Sequence, residues 1–330
     1  MTIKLGIIGA GIAARDLHLP ALEKLKNEFE IVCVCNHTER KAKEFAKLVG
    51  GVPYYLSYKD LLANSEVEAV DIVLPIHLNF VVTKDSLDAG KHVIVEKPIA
   101  SNVFDAELMT SFEDRYERVM MVAENYRYNP VFKRVKTLVG ESKIGKPYAV
   151  FWDNFNMMDS TNKYAKTQWR LGHQYPGGFI TDGGVHQIAA LRDIFGEIGS
   201  GVAYTRSVNP HIGKVDSMTF QFTIGDGVNG VLNIYYSANG FNGNRLTILG
   251  DKGAIQVEGS RILLKPGGKP DIEEKMETDW GYRAEFEDFY DAIVNDKEPV
   301  STFYKAYRDF QTMVSALNSA KKWPELALEG

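Results

Sequence analysis

A glycine-rich turn near the N-terminus constrains the fold more than any other feature of this sequence. Residues 2–8 are an apolar run typical of a buried strand, and it leads directly into Gly9-Ala10-Gly11-Ile12-Ala13-Ala14. In this G-x-G-x-x-A pattern the first glycine allows a tight bend and the second lets the backbone approach a pyrophosphate. We therefore predict a helix from this turn to about Lys26 and a dinucleotide held by Gly9, Gly11, Ile12 and Ala13. The alternative is a tight turn in an unrelated α/β fold.

Strands and helices alternate from this turn as far as residue 124. The predicted strands are 30–35, 52–54, 69–74, 92–95 and 119–123, and the predicted helices between them are 39–48, 57–63, 78–89 and 102–115. Alternation of this kind predicts a doubly wound parallel sheet, in which ligands bind at the carboxyl ends of the strands.

The pattern changes after residue 124, where long β-rich segments separated by glycine-rich turns take over. The predicted strands are 147–156, 200–208, 215–224, 228–238, 244–250 and 253–264, and the predicted helices are 129–139, 185–195, 281–294 and 301–322. These segments indicate a large, mostly antiparallel or mixed sheet in an α+β domain. At about 150 residues per domain, 330 residues predict two domains, 1–124 and 125–330.

Composition excludes several classes of protein and partner. The 38 basic and 43 acidic residues give a net charge of −5, which disfavours a nucleic-acid partner. No apolar run reaches about 18 residues, so no membrane span is expected. Cys33 and Cys35 are the only cysteines, and we expect both to be reduced core residues of a cytoplasmic protein. No cysteine cluster or H-E-x-x-H spacing suggests a metal site.

The end of the second predicted strand bears on the choice between NAD and NADP. An acid at this point binds the ribose hydroxyls and repels a 2′-phosphate, but this chain has Asn36, followed by His37. Thr38 is placed to offer its hydroxyl and nearby N–H groups to a phosphate, and Arg40 or Lys41 adds positive charge. We therefore favour NADP. NAD stays open, because Asn36 can bond a ribose hydroxyl while Thr38 merely caps a helix with a solvated basic face.

The turn and three further motifs together resemble the Gfo/Idh/MocA oxidoreductase family, which includes glucose–fructose oxidoreductase and inositol dehydrogenase. The motifs are His18-Leu19-Pro20, Glu96-Lys97-Pro98 and Asp182-Gly183-Gly184-Val185-His186. The resemblance covers essentially the whole chain. It implies an N-terminal Rossmann domain, a C-terminal domain with a large antiparallel sheet, and a last helix, about 301–322, that packs back on the first domain. It suggests a cis peptide bond before Pro98, whose isomer the sequence alone leaves open.

The resemblance also implies a catalytic group of Lys97, Asp182 and His186. These residue types suit hydride transfer at a carbinol carbon, whose oxygen must lose or gain a proton. A histidine can move that proton, an ammonium stabilises the alkoxide, and a carboxylate orients the imidazole. The four-residue spacing puts Asp182 and His186 on one helix face. The alternatives are that Lys97 is merely exposed after a strand, that Asp182 caps a helix that starts near Val185, and that His186 is a core histidine.

Further contacts follow from the same resemblance. The predicted cofactor contacts are Pro75, His77 and Asn79 after the fourth strand, Glu96 beside Lys97, and the pair Trp169 and Arg170. The predicted substrate contacts are Tyr126, Arg127 and His173. For each of these side chains, ordinary packing or a solvated loop is the alternative interpretation.

The sequence therefore predicts an NAD(P)-dependent oxidoreductase that acts on a CH–OH group of a sugar, a polyol or a related compound. The resemblance implies a homodimer or homotetramer. Two other functions stay open: a regulatory protein that senses NAD(P) without turnover, and an enzyme that cleaves glycosides with a tightly held NAD. Retention of Lys97, Asp182 and His186 argues against the pure sensor.

Overall fold

The computed structural model describes residues 1–159, 161–172 and 175–320, which form two compact units. The first unit contains Met1–Lys133 together with Glu277–Gln311. The second contains Arg134–Met276 and the described residues from Thr312 onward. The division of the chain at residue 124 stays a prediction.

The first unit is built on a six-stranded parallel sheet with the strand order β3-β2-β1-β4-β5-β6. Its strands are β1 (Ile3–Ile8), β2 (Phe29–Cys35), β3 (Tyr54–Tyr55), β4 (Ala69–Ile72), β5 (His92–Glu96) and β6 (Met120–Ala123). The order reverses between β1 and β4, which is where a doubly wound sheet binds its ligand. The predicted Rossmann sheet is confirmed.

Ten α-helices accompany the sheets in the described part of the chain. They are α1 (Leu19–Leu22), α2 (Glu39–Leu48), α3 (Tyr58–Leu62), α4 (Asn79–Asp88), α5 (Val103–Thr110), α6 (Pro130–Gly140), α7 (Gln168–Leu171), α8 (Phe179–Phe195), α9 (Tyr282–Asn295) and α10 (Phe303–Asn318). Among the described residues, none of the helices combines the length and apolarity that crossing a membrane requires.

The first helical segment differs from the expected continuous helix. A π-helical turn over Ala14–His18 leads into the short α1, which ends at Leu22 instead of continuing to Lys26. The side chain of Leu25 is buried in the core, and its carbonyl accepts a hydrogen bond from the N–H of Phe29. The backbone N–H groups of Lys24 and Leu25 bond to carbonyls three residues back instead of four, so the helix ends earlier than its periodicity predicts.

A segment from the C-terminal part of the chain completes the core of the first unit. The rings of Phe286 and Phe289 on α9 lie 6.0 and 6.2 Å from the ring of Phe29 at the start of β2. All three side chains are buried. Residues 303–311 of α10 also belong to this unit, and the backbone N–H of Phe303 donates to Glu113 at 2.8 Å.

The second unit is built on an eight-stranded sheet with the order β14-β13-β12-β11-β7-β10-β9-β8. Its strands are β7 (Pro147–Phe155), β8 (Ile198–Arg206), β9 (Ser217–Ile224), β10 (Val228–Tyr235), β11 (Gly243–Gly250), β12 (Gly253–Glu258), β13 (Arg261–Pro266) and β14 (Ile272–Lys275). Every neighbouring pair is antiparallel except β7 and β10. The predicted large, mostly antiparallel sheet is confirmed.

Two details of this sheet differ from the sequence prediction. The single strand expected over 253–264 is a hairpin of β12 and β13, because Gly259 adopts a φ of +58° and reverses the chain. The edge strand β14 was not predicted, since its sequence IEEK has no apolar alternation. An edge strand exposed on both faces carries a weak hydrophobic signal.

The two cysteines are buried, unbonded residues of β2. Burial raises the pKa of the Cys33 thiol to about 11 and that of the Cys35 thiol to about 12. Both side chains therefore stay protonated and act as small apolar core residues.

Candidate functional site

The turn after β1 has the geometry that a dinucleotide pyrophosphate requires. Gly9 has a φ of +116°, and a Cβ there would lie 2.1 Å from the carbonyl oxygen of Val73, so only glycine fits. At Gly11 no atom lies within 4 Å of the Cβ position, which leaves the backbone open to an approaching anion. Ile12 and Ala13, both half-buried, begin the following helix, whose first N–H groups have no intrahelical partner. These residues fit a bound dinucleotide.

The two glycines of this turn predict opposite effects of alanine. Gly9→Ala should lower the melting temperature strongly, because it combines a left-handed φ with a backbone clash. Gly11→Ala should leave the melting temperature within about 2 °C of the wild type, since it meets no neighbour. It should still weaken cofactor binding by at least about tenfold, because the methyl group occupies the space for the pyrophosphate. Thermal melts and cofactor titrations measure both, and tight binding by the Gly11 variant would contradict the assignment.

Asn36, at the end of β2, connects the glycine turn to the start of α2. Its Oδ1 accepts a hydrogen bond from the N–H of Ala10 at 3.3 Å, and its Nδ2 donates to the carbonyl of Thr38 at 3.3 Å. Thr38 is the N-cap residue of α2, but its side chain accepts no capping hydrogen bond. The first N–H groups of α2 are therefore open to an anion.

The basic side chains near Asn36 surround an acidic residue. Arg40 is exposed and donates to Glu44 at 2.8 Å, and Arg15 lies 3.5 Å from the same carboxylate. His37 is exposed in the loop between β2 and α2. A phosphate bound here would compete with Glu44 for the guanidinium of Arg40.

The turn after β4 brings together the three cofactor contacts predicted there. Pro75 is half-buried and starts a 3₁₀ turn that contains His77, whose side chain is exposed. Asn79, the first residue of α4, is fully buried instead of lining the surface. Its Nδ2 donates to the carbonyls of Glu96 and Pro98, at 2.8 and 2.9 Å, so the amide bonds to the protein itself.

Lys97 follows β5 directly, at the carboxyl edge of the parallel sheet. Its side chain is half-buried, whereas Glu96 and Pro98 on either side are buried. The peptide bond between Lys97 and Pro98 is cis. Since β1 and β5 run parallel in one sheet, Lys97 and the glycine turn lie at the same edge.

Beneath this edge lies a buried cluster of ionisable residues, of which only Glu96 is among the predicted cofactor contacts. His18 Nδ1 lies 2.9 Å from Asp71 Oδ2, and His18 Nε2 lies 3.1 Å from Glu96 Oε1. Burial alone would lower the pKa of His18, but the two carboxylates together raise it well above its ordinary value. The imidazole is therefore protonated and donates from both nitrogens. Asp71 in an otherwise apolar strand was the available signal, because a charge there needs a buried partner.

Glu285, on α9, belongs to the same cluster. It is fully buried, and neither of its carboxyl oxygens has a hydrogen-bond partner among the described residues. Burial raises the pKa of Glu285 well above its ordinary value, and Glu96, Glu124 and Asp71 add to the effect against the attraction of His18. The carboxyl of Glu285 therefore keeps its proton to a higher pH than an exposed glutamate does.

The segment after β6 contains two predicted substrate contacts. Tyr126 packs its ring against that of Phe132, and burial, with Glu124 nearby, raises its pKa to about 12. Arg127 is buried and forms an ion pair with Asp309 on α10. The pairing gives Arg127 a structural role, and the substrate contacts stay predictions.

In the second unit, α8 carries Asp182 and His186. The helix starts at Phe179, not near residue 185, so Asp182 lies in its first turn and does not cap it. Asp182 is buried and His186 is half-buried, one turn apart on the same face. The glycines between them allow close packing, since a Cβ at Gly183 would lie 2.0 Å from the hydroxyl of Tyr236. Glycine is therefore present because a larger side chain would not fit against Tyr236, not because the backbone must be flexible. From the sequence alone, such glycines suggest that the helix starts after them.

Arg170 pairs with Asp182 in this unit. Its Nε donates to Asp182 Oδ2 at 2.8 Å, and its guanidinium lies 4.0 Å from the centre of the Trp169 ring. Trp169 also contacts the buried Tyr175, whose pKa is raised by burial and by the charge of Asp182. The two predicted cofactor contacts therefore adjoin a predicted catalytic carboxylate. His173 lies outside the described residues.

No group of three or more His, Cys, Asp or Glu side chains in the described part of the chain is arranged to hold a metal ion. The buried cluster around His18 agrees with this, because its imidazole nitrogens already face carboxylates.

Two family models match almost the whole chain. One, described as an oxidoreductase family with an NAD-binding Rossmann fold, matches residues 3–124. The other, described as the C-terminal alpha/beta domain of an oxidoreductase family, matches residues 136–326.

Individual relatives agree with these models. A solved oxidoreductase from Thermotoga maritima is 38% identical, covers 97% of each chain and has a TM-score of 0.92. Dehydrogenase FPY6 of Fusarium mangiferae is 30% identical, with 96% of each chain covered. The WlbA dehydrogenase of Bordetella pertussis, solved with NADH and UDP-GlcNAcA, is 23% identical over 97% of each chain with a TM-score of 0.86. At that identity the last likeness shows the fold alone.

Proposed function

Because this chain belongs to the Gfo/Idh/MocA oxidoreductase family, we propose that it transfers a hydride between a nicotinamide cofactor and a carbon that bears a hydroxyl or carbonyl oxygen. The observation that carries this proposal is the placement of Lys97. It follows β5 at the same edge of the sheet as the open glycine turn, and its backbone is fixed on both sides. A cation at that edge lies where a ligand of a doubly wound sheet binds.

The proposed mechanism assigns a separate task to each side chain. The bound nicotinamide supplies the hydride acceptor or donor. In the oxidative direction, His186 accepts the proton of the substrate hydroxyl, because a neutral imidazole has a nitrogen lone pair that can take it. The ammonium of Lys97 donates to the reacting oxygen and stabilises its negative charge. Asp182 orients the imidazole or binds a substrate hydroxyl, while its Oδ2 accepts a hydrogen bond from Arg170.

We propose a sugar, a polyol or a related hydroxylated compound as the substrate. Support comes from the motifs shared with sugar dehydrogenases and from the fold relative solved with UDP-GlcNAcA. The test is to incubate the protein with a panel of aldoses, polyols and nucleotide sugars and with each cofactor in turn. Turnover is measured through the absorbance of the reduced nicotinamide. Net cofactor reduction with one class supports the proposal. Turnover without net reduction would instead favour redox-assisted cleavage, and tight cofactor binding without any turnover would favour a sensor.

We propose NADP as the preferred cofactor. Support comes from Asn36 in place of an acid, from the uncapped N–H groups at the start of α2, and from the exposed Arg40. Each of these features favours a 2′-phosphate over a bare ribose. Tighter binding of NAD by the wild type would overturn this preference.

Asn36→Asp should shift the ratio of the two dissociation constants toward NAD by at least about tenfold. The new carboxylate keeps the acceptor for the N–H of Ala10 but repels a 2′-phosphate and can bond a ribose hydroxyl. Titration of both cofactors into wild type and variant measures the ratio. Thr38→Ser keeps the hydroxyl and is the matched control, with an expected ratio close to that of the wild type.

We also propose that the protein is a cytoplasmic homodimer or homotetramer. The reduced, buried cysteines support the location. Exposed aromatic side chains on β7 support self-association, since Tyr148 and Phe151 are 53% and 40% exposed.

A further inference from the structure

The backbone on both sides of Lys97 is held by a single buried amide. Asn79 Nδ2 donates one N–H to the carbonyl of Glu96 and the other to the carbonyl of Pro98. These two bonds use both N–H donors of the amide and fix its orientation. If Oδ1 and Nδ2 changed places, the amide oxygen would face the two carbonyl oxygens. The side chain of Asn79 therefore bridges the residues before and after Lys97.

The side chain of Glu96, the residue before Lys97, is also fixed by buried partners. Glu96 Oε1 pairs with His18 Nε2, and the other ring nitrogen of His18 pairs with Asp71 on β4. His18 and Asp71 are both fully buried, and the imidazole packs edge-on against the ring of Phe286 at 5.3 Å. The carboxylate of Glu96 is thus tied to the first helical segment and to the neighbouring strand.

We propose that Asn79 and His18 are positioning residues for Lys97, which fix its backbone and the preceding side chain so that the ammonium meets the reacting oxygen. This inference rests on the proposed role of Lys97. The contacts of Asn79 support this role directly, because the side chain is fully buried and both of its amide donors bond to the protein itself. Positioning matters because displacements of about 1 Å at a reacting group cost about 10²-fold in rate.

A double-mutant cycle tests whether Asn79 acts through Lys97. Asn79→Ala should lower kcat by about 10²-fold, with the cofactor dissociation constant within about twofold of the wild type. In a Lys97→Ala background the same change should alter the residual kcat by less than about threefold. Asn79→Ser keeps one donor and should give an intermediate kcat. Equal losses in both backgrounds would show a general structural defect and overturn the proposal.

The matched control is Asn129→Ala, another change at a fully buried asparagine of the same unit. Asn129 Oδ1 accepts a hydrogen bond from the N–H of Val131 and has no bond to the segment around Lys97. We expect it to lower stability but to leave kcat within about twofold of the wild type. His18→Gln removes the positive charge and replaces two separate ring nitrogens by one amide nitrogen, so it should weaken the bonds to Asp71 and Glu96 and lower kcat by about tenfold. It should do so only when Lys97 is present.

Hydrogen exchange of the cofactor-free protein gives a readout that needs no activity. The peptide that spans residues 96–101 should exchange its amide hydrogens at least about fivefold faster in Asn79→Ala and in His18→Gln than in the wild type. In Asn129→Ala its exchange rate should equal that of the wild type. Unchanged exchange in the first two variants would overturn the positioning role. If Lys97→Ala itself leaves kcat unchanged, the proposed function fails instead. The exchange measurement alone then decides whether Asn79 and His18 hold this segment.

Discussion

Lys97→Ala should lower kcat by about 10³-fold while the dissociation constant of the cofactor changes by less than about threefold. The variant loses the ammonium that stabilises the alkoxide in the transition state, which is comparable to the loss of one oxyanion donor. The glycine turn and the residues around Asn36, which hold the cofactor in our proposal, are unchanged. Steady-state kinetics with the substrate found in the panel and fluorescence titration of the cofactor measure the two quantities.

The control for this prediction is Lys84→Ala on α4. Lys84 is exposed and pairs with Asp88 one turn away, so its loss should leave kcat within about twofold of the wild type. A kcat for Lys97→Ala as high as that of the control would remove Lys97 from the mechanism. Parallel losses of kcat and cofactor affinity would instead make it a binding residue.

Glu285→Gln should make the protein more stable than the wild type by a margin that grows with pH. In the folded wild type the pKa of Glu285 is raised by burial and by the carboxylates of Asp71, Glu96 and Glu124, against the attraction of His18. The unfolded chain releases the proton above about pH 4.5, whereas the folded chain keeps it. The contribution of Glu285 to stability is therefore complete below that pH and is lost as pH rises toward the folded pKa.

The expected size is about 1.4 kcal/mol per pH unit over this window, because the folded state binds one more proton than the unfolded state. Urea unfolding of wild type and Glu285→Gln at several pH values between 5 and 8 measures the margin. The margin is the unfolding free energy of the variant minus that of the wild type at the same pH, so the contributions of His18 and Asp71, which both proteins share, cancel. Glu287→Gln on the same helix is the control, since Glu287 is solvent-exposed and pairs with Arg283. A margin that does not change with pH would show that Glu285 is charged in the folded protein.

The parts of the fold that follow from local patterns could be predicted from the sequence. The apolar strands, the glycine turn and the alternation of elements define the Rossmann sheet, because a parallel sheet buried on both faces needs such runs. The polar edge strand β14 and the early end of the first helix depend on tertiary contacts and carry no periodic signal. Likewise, Gly183 suggests a helix boundary until its contact with Tyr236 is known.

The candidate site divides in the same way. Glycine at residues 9 and 11 and the motif around Lys97 can be identified because short spacings define them. The link between His18, Asp71 and Glu96 joins residues 53 and 78 positions apart, and no local pattern connects them. The position of Asn79 after β4 predicts a cofactor contact, which stays a prediction, but no local pattern indicates that its amide donates to Glu96 and Pro98. Which way a side chain points at a strand end depends on the neighbouring strand.

The packing of α9 against the first strands has a consequence for biosynthesis. Phe286 and Phe289 reach their partner Phe29 only after residues 134–276 have been made. At about 5–20 residues per second, translation of that stretch takes about 7–29 s. During this interval the nascent Rossmann sheet exposes an apolar surface that its own N-terminal sequence cannot cover. The first unit therefore reaches its native core only after α9 has been synthesised, and until then its apolar surface is open to aggregation unless a chaperone covers it.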